Sequence, residues 1–103
     1  MTGAIRKELG VLARLCPKFR VRRLALFGSA TTEVFDPSSS DMDFVVEFEP
    51  LSPAEHADAY FGLIEELERV FHSRVDLVEA AAVRNPYFLK AINGTQELLY
   101  ESA

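Results

Sequence analysis

The run Met42-Asp43-Phe44-Val45-Val46-Glu47-Phe48 constrains the fold more than any other stretch of this chain. Its β-branched and aromatic content predicts a strand. Its almost continuous apolar character predicts burial on both faces, hence an inner strand of a covered sheet. A sheet covered on its faces needs helices, and the rest of the chain supplies them. With 103 residues there is room for one core and not two, so residues 1–103 are expected to form a single domain. The expected class is α/β, α+β-like in detail: a small mixed β-sheet with helices packed on it.

Ile5, Leu9, Leu12 and Leu15 recur at helical spacing, predicting a helix over 2–15 with Thr2 as N-cap and Pro17 as its stop. Residues 21–27 turn β-like and apolar before Gly28-Ser29, and 31–40 is expected to be largely loop. Ser52-Pro53-Ala54-Glu55 carries the signature of a capping box with Pro at the first helical position. The helix it opens is expected to bury Tyr60, Phe61, Ile64, Leu67 and Phe71, to turn Glu65, Glu66, Glu68 and Arg69 to water, and to end near His72 or Ser73. A short strand over 74–78, a helix within 80–91 and a last strand over 96–100 complete the order. Tyr87 and Phe88 are expected in the core, a cover over the nucleotide or a partner being the alternative, and His56 and His72 in structural or solvated roles.

The net charge of −5 argues against autonomous nucleic-acid binding, because phosphate contacts by basic side chains supply most of that affinity. It is compatible with a basic protein partner and with metal. Cys16 is the only cysteine, which excludes an intramolecular disulfide and Cys-rich zinc sites; packing is its expected role. No apolar stretch approaches the ~20 residues of a membrane span, and no signal-peptide pattern opens the chain, so the expected location is cytoplasmic.

Asp41 and Asp43 open the apolar strand. Residues two apart on a strand share a face, about 7 Å apart along the backbone. Crowded carboxylates resist ionisation, and a divalent cation with a taste for hard oxygen, such as Mg²⁺, relieves that cost. The plainer alternative makes Asp41 a loop or capping residue and Asp43 a solvated strand end. Asp76 stands mid-strand in Val75-Asp76-Leu77-Val78. If its strand adjoins the first, a third carboxylate joins the cluster, as in sites for in-line displacement at phosphorus; an outward-facing edge position is the alternative. Glu47 shares the parity of Asp43 but lies ~13 Å along the strand and is expected to stand apart. Gly28-Ser29 follows an apolar strand at once, where glycine lets backbone N–H groups approach an anion and the Ser29 hydroxyl adds a donor. An ordinary turn is the alternative there.

Together, Leu26-Phe27-Gly28-Ser29, Ser40-Asp41-Met42-Asp43-Phe44-Val45-Val46 and Val75-Asp76-Leu77-Val78 resemble the signature of the DNA polymerase β-like nucleotidyltransferase superfamily. The size and the ending Leu98-Leu99-Tyr100-Glu101 are similar to its minimal nucleotidyltransferase (MNT) group. The resemblance implies a nucleotidyltransferase fold, with Asp41 and Asp43 as the metal-binding pair, Asp76 as the third acid and Gly28 and Ser29 as the triphosphate turn. It implies Mg²⁺ as cofactor, ATP as substrate and AMP transfer to a hydroxyl, with Asp76 orienting or deprotonating the acceptor. It further implies a HEPN-type RNase toxin as partner, a tyrosine of that toxin as acceptor, and an antitoxin role. The chain departs from the family where Gly-Ser is usually followed by arginine: here Ala30-Thr31-Thr32-Glu33 carries none. That departure leaves a second reading, an MNT-fold module that neutralises the toxin by contact alone. A transferase for a small molecule is disfavoured, because 103 residues leave little room to hold such an acceptor.

Overall fold

The computed structural model describes residues 3–27, 41–82, 85–87, 90 and 96–102. Helices α1 (Gly3–Arg6) and α2 (Leu9–Lys18) lead into strand β1 (Val21–Phe27). Strand β2 (Met42–Phe48), helix α3 (Pro53–Phe71), strand β3 (Val75–Glu79), a 3₁₀ turn (Ala80–Ala82) and strand β4 (Glu97–Glu101) follow. The four strands form one mixed sheet in the order β3-β2-β1-β4. β1 pairs antiparallel with β2 and β4, and β2 pairs parallel with β3. β2 is thus an inner strand, as its apolar run predicts, and α3 is the crossover that a parallel β2–β3 pair requires.

The helices lie on one face, α2 over β1 and β4 and α3 over β3. Leu24 and Leu26 of β1, Met42, Phe44 and Val46 of β2 and Leu77 of β3 meet Ile5, Leu12, Leu15, Cys16, Leu63, Leu67 and Phe71 there. Each such side chain contributes about 1.5–3 kcal/mol by leaving water. The opposite face carries a smaller cluster of Ala25, Phe27 and Val45, against which Val78 and Ala80 pack. Among the described residues no helix is long and apolar enough to cross a membrane.

The N-terminal helix differs from the expectation at both ends. It breaks at Lys7-Glu8, where Glu8 N–H donates to the Ile5 carbonyl at 3.0 Å in a tightened turn; Thr2 lies outside the described residues. It also runs through Pro17 to Lys18. Pro17 faces solvent and forfeits one hydrogen bond, while burial of Cys16 and Leu15 holds the turn. The chain closes two residues later, with Phe19 and Arg20 N–H donating to the Cys16 and Pro17 carbonyls.

The capping box forms: Glu55 N–H donates to Ser52 Oγ, and Ser52 N–H to the Glu55 carboxylate. α3 ends at Phe71, with His72 in the left-handed region at φ 51° as its cap. Its buried stripe is Ala59, Leu63, Leu67 and Phe71, with Tyr60 and Ile64 beside it. Phe61 was expected in that stripe and is 65% exposed; 3.6-residue spacing from Leu63 and Leu67 rotates it off the sheet. Glu68, expected to face water, is half-buried, and its carboxylate accepts from Val75 N–H. Tyr87, expected in the core, is 84% exposed, and Phe88 lies outside the described residues. The chain over 80–91 begins as a 3₁₀ turn and is described as helical at Pro86, Tyr87 and Lys90.

Candidate active site

The register of the sheet builds one lateral row. Phe27 of β1 pairs with Asp43 of β2, and Asp43 with Asp76 of β3. Partners in register share a face, here the one opposite the helices, because Val45 and Val78 two residues on belong to the smaller cluster. The two carboxylates therefore sit on neighbouring strands at the same height. Asp76 is exposed and Asp43 half-buried. Asp41 stands just before β2, exposed, and two residues from Asp43.

Burial, then the charge of Asp76, then that of Asp41, raise the Asp43 carboxyl above its ordinary value. Register and chain position put Asp41, Asp43 and Asp76 toward one end of the sheet. Among the described residues, no three His, Cys, Asp or Glu side chains close to the spacing of a metal cage. The donor set is nevertheless all carboxylate oxygen with an excess of negative charge, the chemistry a hard divalent cation fits.

Gly28 and Ser29 lie outside the described residues. The described part of β1 ends at Phe27, level with Asp43 and Asp76. Glu47 stands apart, at the far end of β2 and paired in register with Arg23. The Arg23 guanidinium donates to Gln96 Oε1 at 3.1 Å and lies 3.6 Å from the Glu101 carboxylate. His56 contacts Glu79 and lies 5.4 Å from the Phe48 ring, and His72 caps α3; both are structural. Cys16 is fully buried, and burial pushes its thiol up to about 12.

Comparisons with known proteins bear on the family and the fold. Residues 10–96 match the family model described as a nucleotidyltransferase domain. Two candidate protein adenylyltransferases of Methanocaldococcus jannaschii are 35% and 34% identical to the chain, each over 81% of it and 79% of the relative. Among solved structures, a candidate minimal nucleotidyltransferase superposes with a TM-score of 0.68 at 23% identity, over 90% of both chains. A toxin–antitoxin structure with AMP-PNP superposes at 0.67 and 20% identity, over 91% of this chain and 73% of that one. A complex of a tri-AMPylated HEPN toxin of Shewanella oneidensis with its MNT antitoxin gives 0.64 at 18% identity, over 95% and 73%. The solved structures share the fold, and the family match spans strands β1, β2 and β3 and helix α3: this chain belongs to the nucleotidyltransferase domain family.

Proposed function

We propose that this chain, acting as a single domain, transfers AMP from ATP to a hydroxyl of a partner protein, a tyrosine by preference, and serves as antitoxin to a HEPN-type RNase toxin. The observation that carries the reading is the register pairing of Asp43 with Asp76 at the level of Phe27, the last residue of β1. Candidate protein adenylyltransferases among its relatives and a tri-AMPylated HEPN toxin among the complexes of its fold support the acceptor.

In this reading Asp41 and Asp43 would hold Mg²⁺, with Asp76 as the third acid. When bound, the ion would supply neutralisation of the triphosphate's charge. Gly28 and Ser29 offer backbone N–H groups and one hydroxyl to the phosphates. Asp76, on the exposed edge strand, is open to an incoming protein side chain; its carboxylate accepts the proton of the acceptor hydroxyl and aims that oxygen at the α-phosphorus. The new bond joins the acceptor oxygen to phosphorus, and pyrophosphate leaves. Most of the acceleration is positioning.

The net charge of −5 and the absent arginine after Gly28-Ser29 favour a second reading, neutralisation of a basic toxin by contact. Calorimetric titration of ATP with and without Mg²⁺, on the wild type and on Asp41→Asn/Asp43→Asn, separates the two. Mg²⁺-dependent binding lost in the double variant, with labelled AMP passing to the toxin, is the expected result. A folded wild type that binds no ATP at millimolar concentration, alone or with the toxin, and still neutralises it would replace transfer with contact.

A further inference from the structure

β3 is a five-residue strand at the edge of the sheet, a place where pairing is weakest and slippage easiest. Met42 N–H donates to the Arg74 carbonyl at 2.9 Å, so the backbone of residue 74 turns toward β2. Alternation along a parallel strand then turns Asp76 and Val78 toward β2, and Val75 and Leu77 outward. Those outward groups are not left to water. Val75 N–H donates to Glu68 Oε2 at 3.1 Å, and Tyr60 Oη donates to the Leu77 carbonyl at 2.6 Å. Both partners belong to α3. Because the chain reverses at His72, Glu68 near the helix end meets the start of β3 and Tyr60, two turns earlier, meets its middle. The two contacts fall on the residues immediately before and after Asp76.

We infer that Tyr60 and Glu68 are positioning residues for Asp76: from α3 they occupy the outward backbone groups on either side of it and so hold its carboxylate opposite Asp43. The inference rests on the reading of Asp76 as a member of the transfer site. A one-residue slip of β3 would carry Asp76 to the helix face; the two clamps oppose that slip on the side where no strand does. Burial, then the charges of Glu79 and Asp76, raise the Tyr60 phenol above its ordinary 10.0, so it keeps the proton it donates. Clamping both outward groups also blunts the edge against pairing with another chain.

The test uses Tyr60→Phe, which removes only the donor, Glu68→Ala, and Glu68→Gln, which keeps an acceptor. Amide hydrogen exchange needs no ligand. Exchange at Asp76 is expected to speed up at least ~10-fold in Tyr60→Phe and Glu68→Ala while Leu24 and Phe44 keep their protection, and Glu68→Gln is expected to stay near wild type. Transfer of AMP from Mg²⁺·ATP to the toxin is expected to fall at least ~10-fold in kcat, a loss near 1.4 kcal/mol, with the ATP dissociation constant within about twofold. In an Asp76→Asn background, Tyr60→Phe is expected to cost nothing further, as coupled residues require. Unchanged Asp76 exchange, or an equal loss with and without the Asp76 carboxylate, overturns the inference. An inactive Asp76→Asn beside a fully active Tyr60→Phe overturns it alone; a fully active Asp76→Asn removes the site reading and this inference with it.

Discussion

Replacing Asp43 by Asn should stabilise the metal-free fold while removing the chemistry. Asp43 and Asp76 stand in register on strands about 4.8 Å apart. Two unit charges near 5 Å interact by roughly 1 kcal/mol at an effective dielectric constant of about 60, suited to a half-buried and an exposed group. Asp41 adds a smaller share, and burial of Asp43 acts in the same direction. A gain of about 1 kcal/mol raises the melting temperature of a chain this size by about 4–8 °C. The sign with pH follows from the raised carboxyl. At neutral pH the folded state carries the full repulsion. As pH falls through the raised value toward 3.8, protonation removes it, and the variant's advantage disappears. High salt narrows the advantage by screening, and millimolar Mg²⁺ should raise the melting temperature of the wild type and not that of the variant. Thermal unfolding by circular dichroism, in low salt at neutral pH and near pH 4, reads all of this. A metal-free Asp43→Asn that melts at or below the wild-type temperature at neutral pH would refute the crowding of these acids.

Three further outcomes concern the scaffold. Ser52→Ala should lose about 1 kcal/mol in urea titrations, since it removes the Oγ that accepts from Glu55 N–H and leaves only the arm donated by the backbone N–H of residue 52. Gly62→Ala places a Cβ 2.6 Å from the Phe19 ring; overpacking of about 2 kcal/mol outweighs the roughly 1 kcal/mol gained in helix propensity, so net destabilisation near 1 kcal/mol is expected by the same method. Cys16 should resist alkylation in the native state and react only on unfolding. Its thiol is raised from 9.0 to about 12, so its contribution to stability is complete below pH 9 and is lost as pH rises toward 12, a decline that Cys16→Ala should lack.

Local rules carried the sequence reading furthest where the signal is local. β1 and β2 begin and end where their apolar runs do, and the Ser52 box opens α3 at the expected residue. Errors arose where a residue's fate depends on what lies across from it. Phe61 was assigned to the core by its type, yet the phase of Leu63 and Leu67 decides which face of α3 is covered. Proline predicts a stop at Pro17, yet a proline on the solvent side of a last turn is tolerated when Cys16 anchors it. That Asp76 adjoins Asp43 depends on a parallel pairing between strands separated by the whole of α3, which sequence leaves conditional. Tyr60 and Glu68 gave no signal at all. On a helical wheel one is a packed aromatic and the other a solvated acid, and only the strand edge beneath them gives them work.

The connection from α3 to β3 spans only His72, Ser73 and Arg74, with His72 bent into the left-handed region. So short a link has no slack, and the alternation that sends Asp76 to one face sends Leu77 to the other, into the main core. Inserting or deleting a residue in the link would therefore misalign the acid and expose Leu77 in the same stroke. The sheet checks the face of the acid: a chain that has buried Leu77 has, by that fact, turned Asp76 to the face of Asp43, and the hold from α3 then keeps it there.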